Sequence, residues 1–409
     1  MIYPATLELL AGILGSACFV AATLGCAYLV MASIMVLRWG SKARISRRAA
    51  LPVSVLVPLC GDEPYLERRV EALCSQRYDA PVQIIWGVQD PSDPAIGIVR
   101  RALMKFPRHD TLLNIDPAIR GRNRKVANLA NMLKHARHDT IVALDSDIHV
   151  GPDYLSAVVG ALQEPGVGAA TCLYHGVPST NLWSRLAALG IDLHFLPSVC
   201  VALAFGLAQP CFGSTMAMHR RTLDRIGAFS AFAEELFDDN AIGEAVRQGG
   251  DKVKVLPLMV AHVCHESSAR ELAETQLRYA RTIRAIDPIG NAGAIITHPF
   301  PVALVALALG VRSAGDLALL ALVCRLILCI CVEQAFGLPR HSYWLVPVRD
   351  ILSFGAYSTA FLGNTVVWRG HRYHVPRADS RVVDPDGGSW MSSLARVTRR
   401  ILRWNRASS

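Results

Sequence analysis

No charged side chain occurs between Leu9 and Leu37, and that one fact restricts the fold more than any motif in the chain. A helix rising ~1.5 Å per residue over that length crosses a hydrocarbon core of ~30 Å with some tilt. A secretory signal peptide would carry Lys or Arg ahead of the run and a cleavage site behind it. Residues 1–8 contain neither cation, and the positives follow instead at Arg38, Lys42, Arg44, Arg47 and Arg48. The pattern predicts an uncleaved anchor whose following domain faces the cytoplasm.

Apolar runs return at residues 292–311, 317–332 and 344–367. Three crossings after a cytoplasmic domain would leave the tail outside. Yet the tail is basic, with Arg369, Arg372, Arg377 and Arg381 followed by more arginines across 396–406. One late run is therefore expected to be re-entrant or interfacial, or a further segment enters the membrane. Residues 186–207, apolar except for Asp192 and His194, are a candidate for lying in the interface. Arg325 and Glu333 are costly in lipid and are expected to face protein or headgroups.

A hydrophobic content of 52% is too high for an ordinary soluble enzyme and suits a part-membrane one. The net charge of +9 could serve nucleic acid, but the positives sit beside the apolar runs, where anionic headgroups explain them better. Residues 394–404 read as a basic amphipathic surface helix. The 11 cysteines show no paired ligand spacing, which fits a reduced cytoplasmic domain, and Cys329-Ile330-Cys331 reads as apolar filling of a membrane segment rather than as a metal site.

Between the apolar ends, residues 52–285 alternate strand and helix patterns, which implies a mostly parallel sheet with helices on both faces. Strands are expected at 53–57, 82–88, 112–115 and 140–144, and helices at 65–76, 94–105, 124–135 and 152–162. Such sheets bind ligands at the carboxyl ends of their strands. Pro58, Asp90 and Asp145 each fall at such an end. The resulting division is an anchor with basic flank (1–48), a cytoplasmic catalytic domain (49–285), C-terminal membrane helices (286–375) and a basic tail (376–409).

Asp145-Ser146-Asp147 places two carboxylates just after a buried strand, where they can share a hard divalent cation that neutralises a diphosphate. Asp90 can accept from a base or ribose, or serve as a turn acid, while Asp93 before Pro94 reads as a cap. The helix opening at Gly121-Arg-Asn-Arg-Lys125 suits diphosphate or nucleobase contacts, and a solvated face is the alternative. Asp238-Asp239 lies among four acids in six residues. Those acids can express a helix N-terminal preference, or they can repel so that one carboxylate becomes a general base. Upstream, Cys211-Phe-Gly-Ser-Thr215 is small enough for close approach of a substrate to backbone. Arg278-Tyr279, with Arg281 and Arg284 at near-helical spacing, anchors to lipid or puts a cation on leaving phosphates.

Together these residues resemble the family-two inverting glycosyltransferases of the GT-A fold, and within them the ceramide glucosyltransferase branch, over about residues 9–373. The stretches Thr171-Cys-Leu-Tyr-His-Gly176, His194-Phe-Leu-Pro-Ser198, Pro210-Cys-Phe-Gly-Ser-Thr215 and Arg278-Tyr-Ala-Arg-Thr-Ile-Arg284 look like the hopanoid-biosynthesis glycosyltransferases. The resemblance implies an α/β GT-A domain, Rossmann-like, with transmembrane helices at both ends, in a multi-pass protein of the bacterial inner membrane. It implies transfer of N-acetylglucosamine from its UDP donor to a bacteriohopanetetrol-type lipid, with glucose transfer to ceramide as the alternative. By position, Asp90 would bind the uridine part with Lys125 nearby, and Pro58, Glu63, Asn128 and Asp145 would complete the donor side. Asp145 and Asp147 would meet Mg²⁺ or Mn²⁺ and the diphosphate. Asp239 would be the base beside Asp238, Arg278 would serve the leaving group, and Gly213, Ser214, Tyr279 and Arg281 would face the acceptor. Thr275 and Tyr279 stand in the first and last slots of the family's Gln/Arg-x-x-Arg-Trp element, Tyr keeping an aromatic surface.

A processive polysaccharide synthase would carry more membrane helices and an intact Gln-x-x-Arg-Trp. A dead scaffold would have lost an acid, and every acidic landmark is present. A nucleic-acid binder would put basic and aromatic residues on a soluble face.

Overall fold

The computed structural model describes residues 4–41, 50–368 and 371–374. Lys42, Arg44, Arg47, Arg48 and the expected helix at 394–404 lie outside the described residues. Eight strands form one sheet: β1 (Val53–Pro58), β2 (Val82–Val88), β3 (Asp110–Ile115), β4 (Thr140–Leu144), β5 (Ile148–His149), β6 (Val167–Pro178), β7 (Thr215–His219) and β8 (Lys252–Cys264). Their spatial order is β3-β2-β1-β4-β7-β6-β8-β5. The first half is wholly parallel, with Val53 opposite Val82 on one side and Thr140 on the other. β7 then runs antiparallel to both β4 and β6, and β8 pairs parallel with β6.

Every residue of β1 and β4 is buried, as expected for strands covered on both faces. Alternate side chains divide between two cores. Val53, Val55, Val57, Ile84, Trp86, Val142 and Leu144 pack with the helices Leu66–Cys74, Ala95–Leu103 and Tyr154–Leu162. Leu56, Ile85, Ile141, Ala143, Met216 and Met218 pack with Arg124–Leu133 and Asp238–Gln248. The four expected strands and four expected helices all form, with their ends shifted by a few residues. β6, β7 and β8 were not expected. Their antiparallel and bulged pairing lacks the regular strand–helix alternation that marks the first half.

Among the described residues, three helices are long and apolar enough to cross a membrane: Leu7–Gly40, Leu182–Phe205 and Ala314–Phe336. A fourth candidate is a pair, Pro288–Thr297 and Pro299–Ala308, bent by 75°. On the first helix, Gly15 faces Leu309 and Val311, Gly25 faces Ile296 and Pro299, and Gly40 faces Ala335. The bent pair therefore runs against the first helix from mid-length to its start, and Ala314–Phe336 returns alongside it to its end. The final apolar run, 344–367, contains no helix long enough to be a candidate span. It forms the 15-residue helix Val346–Ala360, with Arg349 and Asp350 buried, and then the strand Thr365–Trp368. Both pack against the helix Ala269–Ile286, and Val346–Ala360 also packs against Pro299–Ala308.

The segment expected in the interface, 186–207, falls largely within the helical stretch Leu182–Phe205. Its middle is a π-helical turn, Ile191–Phe195. Arg325, 1% exposed, donates there to the Leu193 carbonyl (2.9 Å), to the Thr297 carbonyl (2.5 Å) and to Asp350 (3.1 Å). Arg325 and Glu333 thus both face protein.

Candidate active site

Because β1, β2 and β4 run parallel in register, Pro58, Asp90 and Asp145 arrive together at one edge of the sheet. Asp145 meets Lys125 from the first turn of Arg124–Leu133, with Nζ 2.7 Å from Oδ1. That helix is started by the Asn123 side chain, which caps the Val126 N–H and reaches Asp238 Oδ1 at 3.2 Å. Lys125 Nζ is also 3.6 Å from Asp238 Oδ2. Asp239 accepts from the Gly213 N–H at 2.9 Å and from its neighbour Asn240 at 2.7 Å.

Gly213 lies at the centre of this group. A Cβ there would sit 2.9 Å from Lys125 Nζ, 3.4 Å from Asp145 Oδ2 and 3.5 Å from Asp239 Oδ2. The two acids would be in ordinary contact with such a Cβ, while the Lys125 ammonium would have to shift.

The charges are uneven. Burial, with the neighbouring Asp147 and Asp238 carboxylates, pushes Asp145 up to about 7 against the pull of Lys125. Burial and Asp238 likewise raise Asp239, opposed by Lys125 and by the two backbone N–H donors. At Asp147 burial is overcome by His262, with Arg69 and His265 adding, and the carboxyl lies below its ordinary range. His262 Nδ1 is 3.5 Å from Asp147 Oδ1, an ionic contact that leaves this buried oxygen without a hydrogen-bond donor. The Asp145 and Asp147 side chains retain 28% and 27% of their surface, so the site is open on one side.

Beside the acids stands an aromatic wall. Tyr174 stacks on Phe195 at 4.6 Å and meets Phe212 edge-on at 5.9 Å. Tyr174 packs both with the sheet core and with the cluster that joins the apolar helices. The acidic site therefore sits where the sheet rests on candidate membrane helices.

The sequence profile described as Glycosyl transferase family 21 matches residues 17–380. The chain belongs to glycosyl transferase family 21. Relatives of this family 21 glycosyltransferase include the ceramide glucosyltransferase of Komagataella phaffii, 26% identical over 206 residues, covering 44% of this chain and 40% of that protein. An N-acetylglucosaminyltransferase of Bradyrhizobium diazoefficiens is 24% identical over 241 residues, covering 56% of this chain and 48% of that protein. The chain thus spans about half the length, or less, of these curated relatives. A mannosyltransferase from Pyrobaculum calidifontis, solved with GDP-Man and Mn²⁺, aligns with a TM-score of 0.49 at 21% identity, over 87% of this chain and 99% of that one. The fold is GT-A, with a mixed sheet whose first half is parallel.

The structure brings Lys125, Asp145, Asp147, Gly213, Asp238 and Asp239 of this family 21 enzyme together. Buried Ser214 adjoins them, its hydroxyl without a hydrogen-bond partner. Asp90 is exposed at the edge and accepts from Ser92 N–H (2.8 Å) and hydroxyl (2.7 Å), which hold it below the ordinary range. Asp93 caps as expected and also ties down the Gly61 N–H.

Three of the expected site residues make contacts within the protein. Glu63 accepts from the Ser146 hydroxyl (2.7 Å) and from Arg69 (3.0 Å), fixing the Asp-Ser-Asp loop. Asn128 is buried under β2, donating to the Gly87 carbonyl at 2.9 Å. Arg281 donates to the Thr365 carbonyl, while Arg284 donates to that of Gly363. Arg278 and Tyr279 stay together, the guanidinium 4.5 Å from the ring centroid, with Tyr279 41% exposed.

Arg69 and His262 escaped the sequence reading, and Tyr174 entered it only as part of the Thr171–Gly176 stretch. Arg69 lies on an ordinary amphipathic helix, and the other two lie on strands that carried no clear period. A histidine beside an acid in an irregular strand announces itself only once the pairing is known.

Proposed function

We propose that this glycosyltransferase moves a sugar, with inversion, from a UDP-sugar to the hydroxyl of a membrane lipid. The pairing its motifs favour is N-acetylglucosamine with a bacteriohopanetetrol-type acceptor. The observation that carries the reading is the meeting of Lys125, Asp145, Asp238 and Asp239 around Gly213, at the place where the sheet rests on apolar helices. An acceptor lying in the bilayer reaches such a site without leaving the membrane surface.

Asp239, raised toward the range useful for a base, takes the proton of the acceptor hydroxyl. The hydroxyl oxygen attacks the anomeric carbon opposite the diphosphate, the carbon–oxygen bond to UDP breaks, and its electron pair goes to the departing phosphate. Lys125 and Arg278 supply positive charge for that leaving group. Asp238 fixes Lys125 from below. Asp90 at the edge of β2 receives the uridine part, and Tyr279 offers the acceptor an aromatic surface.

Asp145 and Asp147 fit a divalent cation: they are oxygen donors on one turn, and Asp147 Oδ1 lacks a hydrogen-bond donor. Bound there, Mg²⁺ or Mn²⁺ neutralises diphosphate charge. The cations flanking the first helix support a catalytic domain on the cytoplasmic face, here of a bacterial inner membrane.

The second reading, glucose transfer to ceramide, is favoured by the ceramide glucosyltransferases among the relatives. An assay on purified protein with Mg²⁺ or Mn²⁺ separates the two, crossing UDP-glucose and UDP-N-acetylglucosamine with ceramide and bacteriohopanetetrol. A glycosylated hopanoid detected by mass spectrometry supports the first reading and glucosylceramide the second. No transfer from any pair, with donor still bound, removes both acceptors.

A further inference from the structure

Away from the catalytic acids, Cys329, Glu333 and His341 bring a thiol, a carboxylate and an imidazole to one point. Cys329 and Glu333 are one turn apart on Ala314–Phe336 and share a face. Gly337, at φ 65°, ends that helix in the left-handed region and turns the chain back. The His341 ring thereby returns over the same face. Sγ of Cys329 is 3.6 Å from His341 Nδ1 and 3.8 Å from Glu333 Oε1, and the latter two atoms are 2.9 Å apart.

Tetrahedral zinc holds sulfur, nitrogen and oxygen ligands at ~2.0–2.3 Å, which separates the donor atoms by about 3.4–3.6 Å. The two sulfur sides of the triangle are near those lengths, and the third needs to open by about 0.5 Å. The surroundings are those of a metal-bound histidine. Its other nitrogen, Nε2, is 2.8 Å from Asp192 Oδ2, the kind of outer carboxylate that fixes tautomer and ring orientation. The Tyr343 hydroxyl donates to Glu333 Oε2 at 2.8 Å and orients that ligand in turn. Asp192 itself accepts from the Gly176 N–H of β6 at 2.8 Å, so the cluster links the helix end, the following loop and the catalytic sheet.

We propose that Cys329, Glu333 and His341 form a structural zinc site that staples this helix end to the sheet through Asp192. On binding, the Cys329 thiol gives its proton to solvent and its sulfur to the metal. His341 Nδ1 and one Glu333 oxygen donate lone pairs, and water completes the tetrahedron. A thiolate ligand selects against Mg²⁺ and Mn²⁺, so this ion is distinct from any at Asp145 and Asp147.

The test uses the full-length protein purified in detergent from zinc-supplemented cells, with metal measured by mass spectrometry. About one zinc per chain is expected in the wild type and in Asp147→Asn, and a several-fold loss in Cys329→Ser and His341→Gln. Wild-type protein reloaded with Co²⁺ should show a thiolate-to-cobalt band in the near ultraviolet, a readout that needs no variant to fold. A wild type without zinc and without that band overturns the proposal. Equal zinc in Cys329→Ser means an adventitious ion only and overturns it as well.

Discussion

Lys125 Nζ stands 2.7 Å from Asp145 Oδ1 and 3.6 Å from Asp238 Oδ2, one ammonium joining a strand end to a helix start far along the chain. Three carboxylates, buried Asp238 and the partly buried Asp145 and Asp239, share this cation, and their mutual repulsion is what the lysine restrains. Removing it leaves like charges facing one another in a partly closed site.

Lys125→Met is therefore expected to weaken UDP-sugar binding and to lower kcat/KM by ~100-fold or more, the scale of one lost electrostatic contact to developing charge. Calorimetric titration with UDP, beside steady-state rates, checks this. Unchanged values for both would remove the lysine from the donor site.

Asp239→Asn keeps the hydrogen bond from Gly213 but cannot take a proton. Donor affinity should stay near wild type while kcat falls by ~10²–10⁴-fold, the usual worth of a general base. Wild-type turnover in this variant would sink the assignment.

Because Asp239 must be ionised to act, its raised pKa moves the acid limb of kcat/KM upward, above the ~3.9 of a free aspartate. Activity should be full above that limb and be lost as pH falls through it. A rate profile that is flat down to the ordinary carboxylate range would contradict the burial argument.

Gly213→Ala places a methyl 2.9 Å from Lys125 Nζ, the mobile end of a long side chain. The backbone need not move, so the melting temperature should change little while kcat/KM drops by at least ~10-fold through displaced charge. A large loss of thermal stability with intact specific activity would be the opposite result.

Arg325→Leu leaves Asp350 with only His194 as a side-chain partner and frees the carbonyls of Leu193 and Thr297 inside the helical layer. Loss of one partner of a buried pair costs ~3–5 kcal/mol. Thermal unfolding in detergent should show that loss, and Arg325→Leu with Asp350→Leu together should recover part of it.

The parallel half of the domain was legible in the sequence because fully buried strands such as Val53–Pro58 and Thr140–Leu144 are continuous apolar runs, each followed by a helix with its own period. Asp145 and Asp239 could be picked out because a carboxylate next to such a strand end, or paired with another at a helix start, has few structural uses. The first apolar helix was equally plain, since nothing but a charge-free run is needed to write it.

Other features depended on pairings between distant residues, which no local pattern encodes. The contacts of Glu63 with Arg69 and Ser146 are not legible in the sequence. Nor is the bond from Arg281 to the Thr365 carbonyl. The run at 344–367 is apolar, and only the fold shows it as a 15-residue helix packed on Ala269–Ile286. Sequence by itself determined which segments are apolar, which alternate and where carboxylates follow strands, because those are properties of neighbouring residues. Tertiary structure decided which charges meet and which helices pack together, because a buried ion pair or a bend is set by whatever partner the rest of the chain brings within a few ångströms.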